Sequence, residues 1–272
     1  MLDALAQPDH GVLLAVSGFF TVAQVVFSPD GKTLVTVGGD GGARLWGLGT
    51  HAQIGTPLGS GVVSAAAFGP DGKTLATVGG DGGARLWDVA THTQIGTPLG
   101  GGVVDTVAFS PSGTILATVS KNSNVRLWDV ATHTQIAASL TIGPPSNPTP
   151  SGGPPTMAFS PDGKTLATVG GDGKARLWDV TTHTQIGASL TAGPSSTPNQ
   201  LVLAMVAFSP DGRTLATVGN DGTARLWEVA TRAQIGALPL AGGWAWWRSA
   251  LTARPWPPAA STAPPGCGTW PL

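Results

Sequence analysis

FSPDGKTLVTVGGDGGARLWGL, the stretch from Phe27 to Leu48, is followed by close copies that begin at Phe68, Phe109, Phe159 and Phe208. Self-similarity at a period of about 40 residues is the signature of a repeat architecture, in which each unit packs only against its neighbours. A chain of near-identical units has few unique residues that could form an active site. The sequence therefore predicts architecture more strongly than it predicts chemistry.

Each copy divides into four short apolar runs that are separated by turn residues. In the second copy the runs are Val63–Phe68, Thr74–Val78, Ala84–Val89 and Gln94–Gly96. Pro-Asp-Gly and Asp-Gly between apolar runs are typical of tight turns, because Gly accepts the positive φ angles that such turns need. Four sequential antiparallel strands in about 40 residues form a meander like one blade of a β-propeller. We therefore expect an all-β protein with five four-stranded blades.

The unit FSPDGKTLATVGGDG…ARLWDV resembles the WD40 repeat over roughly residues 11 to 240. The Trp-Asp pair of that family matches Trp87-Asp88, Trp128-Asp129 and Trp178-Asp179, whereas the first copy has Trp46-Gly47 and the fifth has Trp227-Glu228. The chain is especially similar to the long, regular WD40 arrays of bacteria. The resemblance implies a propeller that acts as a protein-interaction scaffold.

One departure from the family concerns a buried hydrogen-bond relay. The resemblance implies that Thr77, Asp81 and Trp87 belong to this relay, but the His that usually precedes the first strand is missing from the loop GTPLGGGVV and its counterparts. If the Trp87 indole is buried without an acceptor, the orphaned N–H costs about 1–3 kcal/mol. We therefore expect blades that form but are held less firmly than is usual in the family.

Composition narrows the choice of partner and compartment. Charged residues make up 11% of the chain and the formal net charge is −1, so no basic field predicts binding of nucleic acid or of an anionic membrane. The single Cys267 fits a reducing compartment, and we expect the cytoplasm. The uncharged run 11–27 does not read as a signal peptide, because Asp3 and Asp9 precede it and no Lys or Arg does.

The repeat phase predicts the domain boundaries: an N-terminal tail at 1–10, the propeller at 11–241 and an irregular tail at 242–272. Ile54 and Ile95 lie 14 residues before the next repeat's Phe, and the same count back from Phe27 reaches Leu13. We therefore predict a lone fourth strand around Leu13. In WD40 propellers such a strand commonly closes the ring by completing the last blade.

The tail at 242–272 holds five of the ten Trp and the only Cys, and it breaks the repeat. Codons compatible with Trp247–Ala250, read one nucleotide earlier, contain Ala-Phe-Ser, and codons compatible with Ser261–Trp270 shift to Asp-Gly-Thr-Ala-Arg-Leu-Trp-Asp-Val. We hypothesise that the tail is a sixth repeat read out of frame, which leaves the propeller incomplete. The DNA sequence of the gene tests this, since the neighbouring frame must encode the missing repeat.

The spacing of the copies locates two inserts. The Phe residues are 41 apart in the first three copies, but Phe109 to Phe159 is 50 and Phe159 to Phe208 is 49. The extra residues fall between the fourth strand of one blade and the first strand of the next, within 141–156 and 191–200. We predict that these inserts bind another protein through six prolines: Pro144, Pro145, Pro148, Pro150, Pro194 and Pro198.

The spacing of Pro145 and Pro148 also fits a PxxP motif, which adopts the polyproline II shape. Because no Lys or Arg adjoins it, a flexible surface loop remains the other interpretation.

Two sets of repeat-equivalent side chains invite a ligand, but we predict a structural role for both. His51, His92, His133 and His183 stand a blade apart, too far to converge on a metal at ~2 Å, and are expected to be exposed turn residues. The arginines follow an acidic residue or its equivalent (Asp40, Asp81, Ser123, Asp172, Asp221) and are expected to pair locally or to lie at solvated strand ends. These arginines are Arg44, Arg85, Arg126, Arg176 and Arg225.

The sequence thus favours a non-catalytic scaffold with no metal or cofactor. Two alternatives stay open: a hydrolase-type propeller enzyme with a site in the central channel, and a truncated product without function. No Ser/His/Asp or Cys/His set stands outside the repeats, and the inserts offer no acid or base.

Overall fold

The computed structural model describes residues 22–38, 41–59, 61–79, 82–100, 104–120, 124–136, 138–142, 156–169, 174–191, 203–219 and 223–239. The predicted strand around Leu13 and the predicted sixth repeat at 242–272 lie outside these residues. The described residues form strands and turns, with no helix among them.

Twenty strands make five sheets of four in the described residues, and we call each sheet a blade. The first blade consists of β1 (Val22–Phe27), β2 (Thr33–Gly38), β3 (Ala43–Gly47) and β4 (Ala52–Leu58). The second consists of β5 (Val63–Phe68), β6 (Thr74–Gly79), β7 (Ala84–Asp88) and β8 (Gln94–Leu99). The third consists of β9 (Val104–Phe109), β10 (Ile115–Ser120), β11 (Asn124–Asp129) and β12 (Leu140–Thr141). The fourth consists of β13 (Thr156–Phe159), β14 (Thr165–Val169), β15 (Lys174–Asp179) and β16 (Leu190–Thr191). The fifth consists of β17 (Leu203–Phe208), β18 (Thr214–Gly219), β19 (Thr223–Glu228) and β20 (Gln234–Pro239).

Every blade is an antiparallel meander in which strands adjacent in sequence are adjacent in the sheet. In the second blade Phe68 pairs with Leu75 across the Pro-Asp-Gly turn, and Leu75 pairs in turn with Trp87. This confirms the predicted all-β class and the five four-stranded units. The fifth blade takes its fourth strand, β20, from its own repeat.

Each blade has two apolar faces because its strands alternate in period 2. The leading face of the second blade carries Val63, Ala66, Phe68, Leu75 and Trp87, which pack against the first blade. Its trailing face carries Ala76, Val78, Ala84, Leu86 and Leu99, which pack against the third blade. Burying one such Leu contributes about 1.5–3 kcal/mol to stability. Because the buried side chains of both faces pack against neighbouring blades, the core of this protein lies between blades.

Four core clusters of this kind join the first blade to the second, the second to the third, the third to the fourth and the fourth to the fifth. In each cluster the trailing face of one blade meets the leading face of the next. The inter-blade contact is therefore directional, with the same order repeated along the chain.

The meander also defines two rims. One rim carries the starts of the first and third strands and the ends of the second and fourth, and we call it the insert rim. The opposite rim carries the turns between first and second strands and between third and fourth strands, and we call it the turn rim. Both predicted inserts begin and end at the insert rim, because each joins a fourth strand to the next first strand.

Candidate interaction surface

The insert rim carries the two segments that the sequence singles out for binding. The six candidate prolines, at 144, 145, 148, 150, 194 and 198, lie outside the described residues, so their binding role stays a prediction. The described flanks fix where the segments start and end. β12 ends at Thr141 and β13 begins at Thr156, while β16 ends at Thr191 and β17 begins at Leu203.

The base of the first insert is held firmly by its neighbours. Ile142 is fully buried and packs in the core between the third and fourth blades, together with Leu166 and Trp178. Arg176 of the fourth blade donates a hydrogen bond from Nη1 to the Ile142 carbonyl oxygen. The segment therefore leaves the rim from an anchored point.

The second insert leaves from a similar base. Leu190, at the end of the fourth blade, is buried among Val206, Leu215 and Trp227. Because Leu190 packs against the fifth blade, this segment too starts at a junction between two blades.

Both insert-bearing blades have a shortened fourth strand. β12 and β16 are two residues long, whereas β4 has seven and β8 and β20 have six. Gln135 and Gln185 form only isolated bridges, to Trp128 and Trp178. Just before these two strands, Thr-Pro of the second copy is replaced by Ala-Ser. The inserts thus begin where the outer edge of the blade is least regular.

The five repeat-equivalent arginines lie near the insert rim, at the second residue of β3 and β7 and at the matching positions of the other third strands. All five are half-buried and none is without an interaction partner. Arg176 reaches the preceding blade at Ile142, and Arg126 Nε donates to Ser139 Oγ at 3.3 Å within its own blade. The acidic residues predicted to pair with them lie outside the described residues, so that pairing stays a prediction.

The condition for an orphaned indole is not met, because the buried Trp87 has an acceptor. Trp87 Nε1 donates to Thr77 Oγ1 at 2.8 Å, and both groups are buried. The same bond recurs in the other blades at 2.9 to 3.0 Å, at Trp46 to Thr36, Trp128 to Thr118, Trp178 to Thr168 and Trp227 to Thr217. Residue 81 lies outside the described residues. The Thr hydroxyl accepts the indole proton directly, so the missing His does not leave the Trp unpaired.

The expectation that the turn histidines are exposed is wrong for three of the four. His92, His133 and His183 are half-buried, whereas His51 is exposed. The His92 ring lies against the α-carbon of Gly55 in the first blade, as the His133 ring lies against Gly96 in the second. Nε2 of His92 and of His133 is buried without a hydrogen-bond partner. His92 and His133 therefore act as packing groups between blades.

No metal site is built from these side chains. The described residues contain no group of three or more His, Cys, Asp or Glu that could hold a metal ion. The part of the chain that the structure describes also contains no helix long and apolar enough to cross a membrane.

The turn rim has its own electrostatic pattern. Ser28 Oγ donates to Asp30 Oδ1 at 2.6 Å and accepts a hydrogen bond from the Thr33 amide at 2.9 Å. The hydrogen bond from Ser28, and then that from the Lys32 amide, holds the pKa of Asp30 below its ordinary value. The same pattern lowers the pKa of Asp162 beside Ser160 and of Asp211 beside Ser209.

These serines make stability depend on acid in a predictable direction. A carboxyl whose folded pKa is lowered stabilises the protein above its unfolded pKa of about 3.9, and this contribution is lost as pH falls through the folded pKa. Replacing Ser28, Ser160 and Ser209 by Ala is expected to raise the pKa of their aspartates, as carboxyl NMR titration would measure. It is also expected to reduce the difference in unfolding free energy between about pH 7 and about pH 3.

The third blade supplies the matched control for this experiment. Its turn pairs Ser110 Oγ with Ser112 Oγ at 3.1 Å, without a carboxylate. Ser110→Ala should therefore leave the pH dependence unchanged. Equal pH effects of the two sets of variants would contradict the assignment.

Comparison with known families agrees with this geometry. The WD domain, G-beta repeat (WD40) model matches residues 8–47, 52–88, 92–129, 152–179 and 196–228, which together are more than half of the chain. The segment 52–88 begins in β4 and ends in β7, so the family's unit straddles two neighbouring blades. A search of the curated proteins finds no match. The five matches, each of which ends with the third strand of one of the five blades, establish that this chain belongs to the WD40 family.

Proposed function

We propose that this chain is a non-catalytic scaffold, working in the cytoplasm, that captures another protein on its insert rim. WD40 repeats generally serve as protein-interaction scaffolds. The observation that carries the choice of rim is the anchored base of the first insert, where Ile142 is buried and bonded to Arg176 of the next blade. The two inserts interrupt an otherwise regular repeat at the same place in neighbouring blades.

The composition of the inserts suits binding rather than catalysis. They offer proline, serine, threonine and asparagine, and none of these is an activated acid or base. Proline restricts the chain before it binds, which reduces the conformational entropy lost on association. Two Pro-rich segments that start from the same rim therefore suit binding of a partner at low entropic cost.

The test is to remove the inserts without disturbing the blades. Deleting residues 144–152 and 193–200 restores the 41-residue spacing of the first repeats and removes all six prolines, while Ile142 and Leu190 remain. We expect the deletion to abolish partner capture in affinity purification from the source cells. The thermal unfolding midpoint should stay close to that of the original chain, because the deletion keeps Ile142 and Leu190, which belong to the inter-blade clusters.

Two control variants sharpen the result. Replacing the six prolines by Ala at constant length separates a polyproline docking motif from a simple loop surface. Lys32→Ala, in an exposed turn on the opposite rim, should not affect capture. Undiminished capture by the deletion variant would overturn the assignment of the insert rim.

A further inference from the structure

The two ends of the blade array carry faces that are open in the described residues but buried at every junction between blades. Phe27, on the leading face of the first blade, is 61% exposed, whereas the equivalent Phe68 is 9% exposed. Val25, beside it, is 50% exposed, whereas the equivalent Ala66 is 3% exposed. These positions are equivalent because Val25 pairs with Thr36 as Ala66 pairs with Thr77.

The trailing face of the fifth blade is open in the same way. Leu238 pairs with Ala224 as Leu99 pairs with Ala84, yet Leu238 is 40% exposed and Leu99 is 2% exposed. Val218 and Leu226 are half-buried, whereas their equivalents in the first four blades are buried. The core clusters of the described residues therefore stop at the fifth blade.

These two open faces are complementary, because one is a leading face and the other is a trailing face. Each of the four junctions joins one trailing face to one leading face. The five blades of the described residues have five faces of each kind, so one leading face and one trailing face remain among these residues. Apolar surface of this kind is stabilised by removal from water, and the repeat already encodes the surface that fits it.

We propose that the leading face of the first blade docks onto the trailing face of the fifth blade of a second copy of this chain. The contact continues the inter-blade interface that the chain uses four times. Because it joins two different surfaces, it is heterologous, and each added copy presents a new open face. This inference is independent of the partner proposed for the insert rim.

His51 gives a further sign that a neighbour is missing on the leading side. It is exposed in the first blade, while the equivalent His92, His133 and His183 are half-buried and His92 and His133 lie against the preceding blade. Docking of a second copy places a blade where the first blade has none, so His51 should become protected from chemical modification.

The test uses the full chain and blocks one face at a time. Phe27→Asp blocks the leading face and Leu238→Asp blocks the trailing face, while Val62→Asp alters a residue that is 54% exposed and lies outside every core cluster. Sedimentation velocity over a wide range of concentration should give growing assemblies for the original chain and for Val62→Asp. Each blocked variant alone should sediment as a single chain of 27.3 kDa.

Mixing the two blocked variants is the decisive step. The Leu238→Asp chain keeps its leading face and the Phe27→Asp chain keeps its trailing face, so the mixture should form a one-to-one complex that grows no further. If the original chain remains a single chain at all concentrations, the proposal is overturned. It is also overturned if the blocked variants still self-associate or if their mixture does not combine.

Amide exchange of the original chain covers the case in which a variant fails to fold. Protection in β1 and β20 should rise with protein concentration, while protection in β9 should not. Protection independent of concentration in all three strands would overturn the proposal.

Discussion

Replacing Gly55 by Ala is expected to lower the free energy of unfolding by about 2–5 kcal/mol, combining about 1–2 kcal/mol for the backbone conformation with about 1–3 kcal/mol for overpacking. Gly55 has a φ angle of +65°, which an L side chain rarely adopts. A Cβ at this position would also overlap with Nδ1 and Cε1 of His92, so the ring of the next blade must move.

The fifth blade offers the matched control. Gly236 occupies the same place in its Gln-Ile-Gly sequence, but its φ angle is not positive and an added Cβ would meet only Leu226, at 3.6 Å or more. Gly236→Ala should therefore change stability by less than about 0.5 kcal/mol. Chemical denaturation of the two variants measures the difference, and equal losses would contradict the proposed contact with His92.

The double variant Gly55→Ala/His92→Ala separates the two causes. Removing the ring relieves the overlap but leaves the backbone strain. The double variant should therefore lose less than the sum of the single variants, since residues in contact are not additive.

Replacing Thr77 by Val is expected to cost about 1–3 kcal/mol, because Val keeps the shape of the side chain and leaves the buried Trp87 N–H without its acceptor. Thr77 Oγ1 accepts that proton at 2.8 Å in the original chain. Thr77→Ser keeps the acceptor and loses one methyl group, for which about 0.8 kcal/mol is expected.

A double-variant cycle with Trp87→Phe isolates the hydrogen bond. In the Phe background the indole N–H is gone, so Thr77→Val should cost little. Denaturation of the four proteins gives the coupling energy. A coupling near zero would mean that the indole proton has another acceptor.

The blades were predictable because their signals are local. Period-2 alternation in Ala84–Asp88 and the turn residues between runs fixed strand type and position to within about three residues. The fourth strand of the second blade was predicted too short, since β8 continues to Leu99. The reason is that Thr97 and Pro98 were interpreted as part of a loop. Pro98 is tolerated there because β8 is an edge strand, where a missing donor costs little.

Contacts across blades were not predictable in the same way. The pairing of His92 with Gly55 joins residues 37 positions apart and depends on how two sheets stack. The sequence does contain a signal for this contact. Gln-Ile-Gly precedes three of the four turns between third and fourth strands in the second to fifth blades, and the remaining turn is preceded by Gln-Ile-Ala. Only the stacking of the blades shows that the Gly faces the turn of the next blade. The Trp–Thr hydrogen bond was missed because the resemblance to the family suggested that a His is needed in the relay. In the structure Thr77 accepts the indole proton of Trp87 directly.

The binding prolines are a different case, since they lie outside the described residues and remain a prediction from repeat spacing alone. What the structure adds is their setting. The buried Ile142 and Leu190 indicate that both segments start from junctions between blades, a detail that spacing alone does not contain.

The directional junction between blades has a consequence for how such a chain changes over generations. Because every junction uses the same pair of faces, a duplicated stretch of gene that encodes one more unit adds a blade whose contacts are already compatible. Loss of a unit is equally tolerated, since the two faces that it exposes fit each other. Array length in this protein can therefore drift by recombination without any new interface having to evolve.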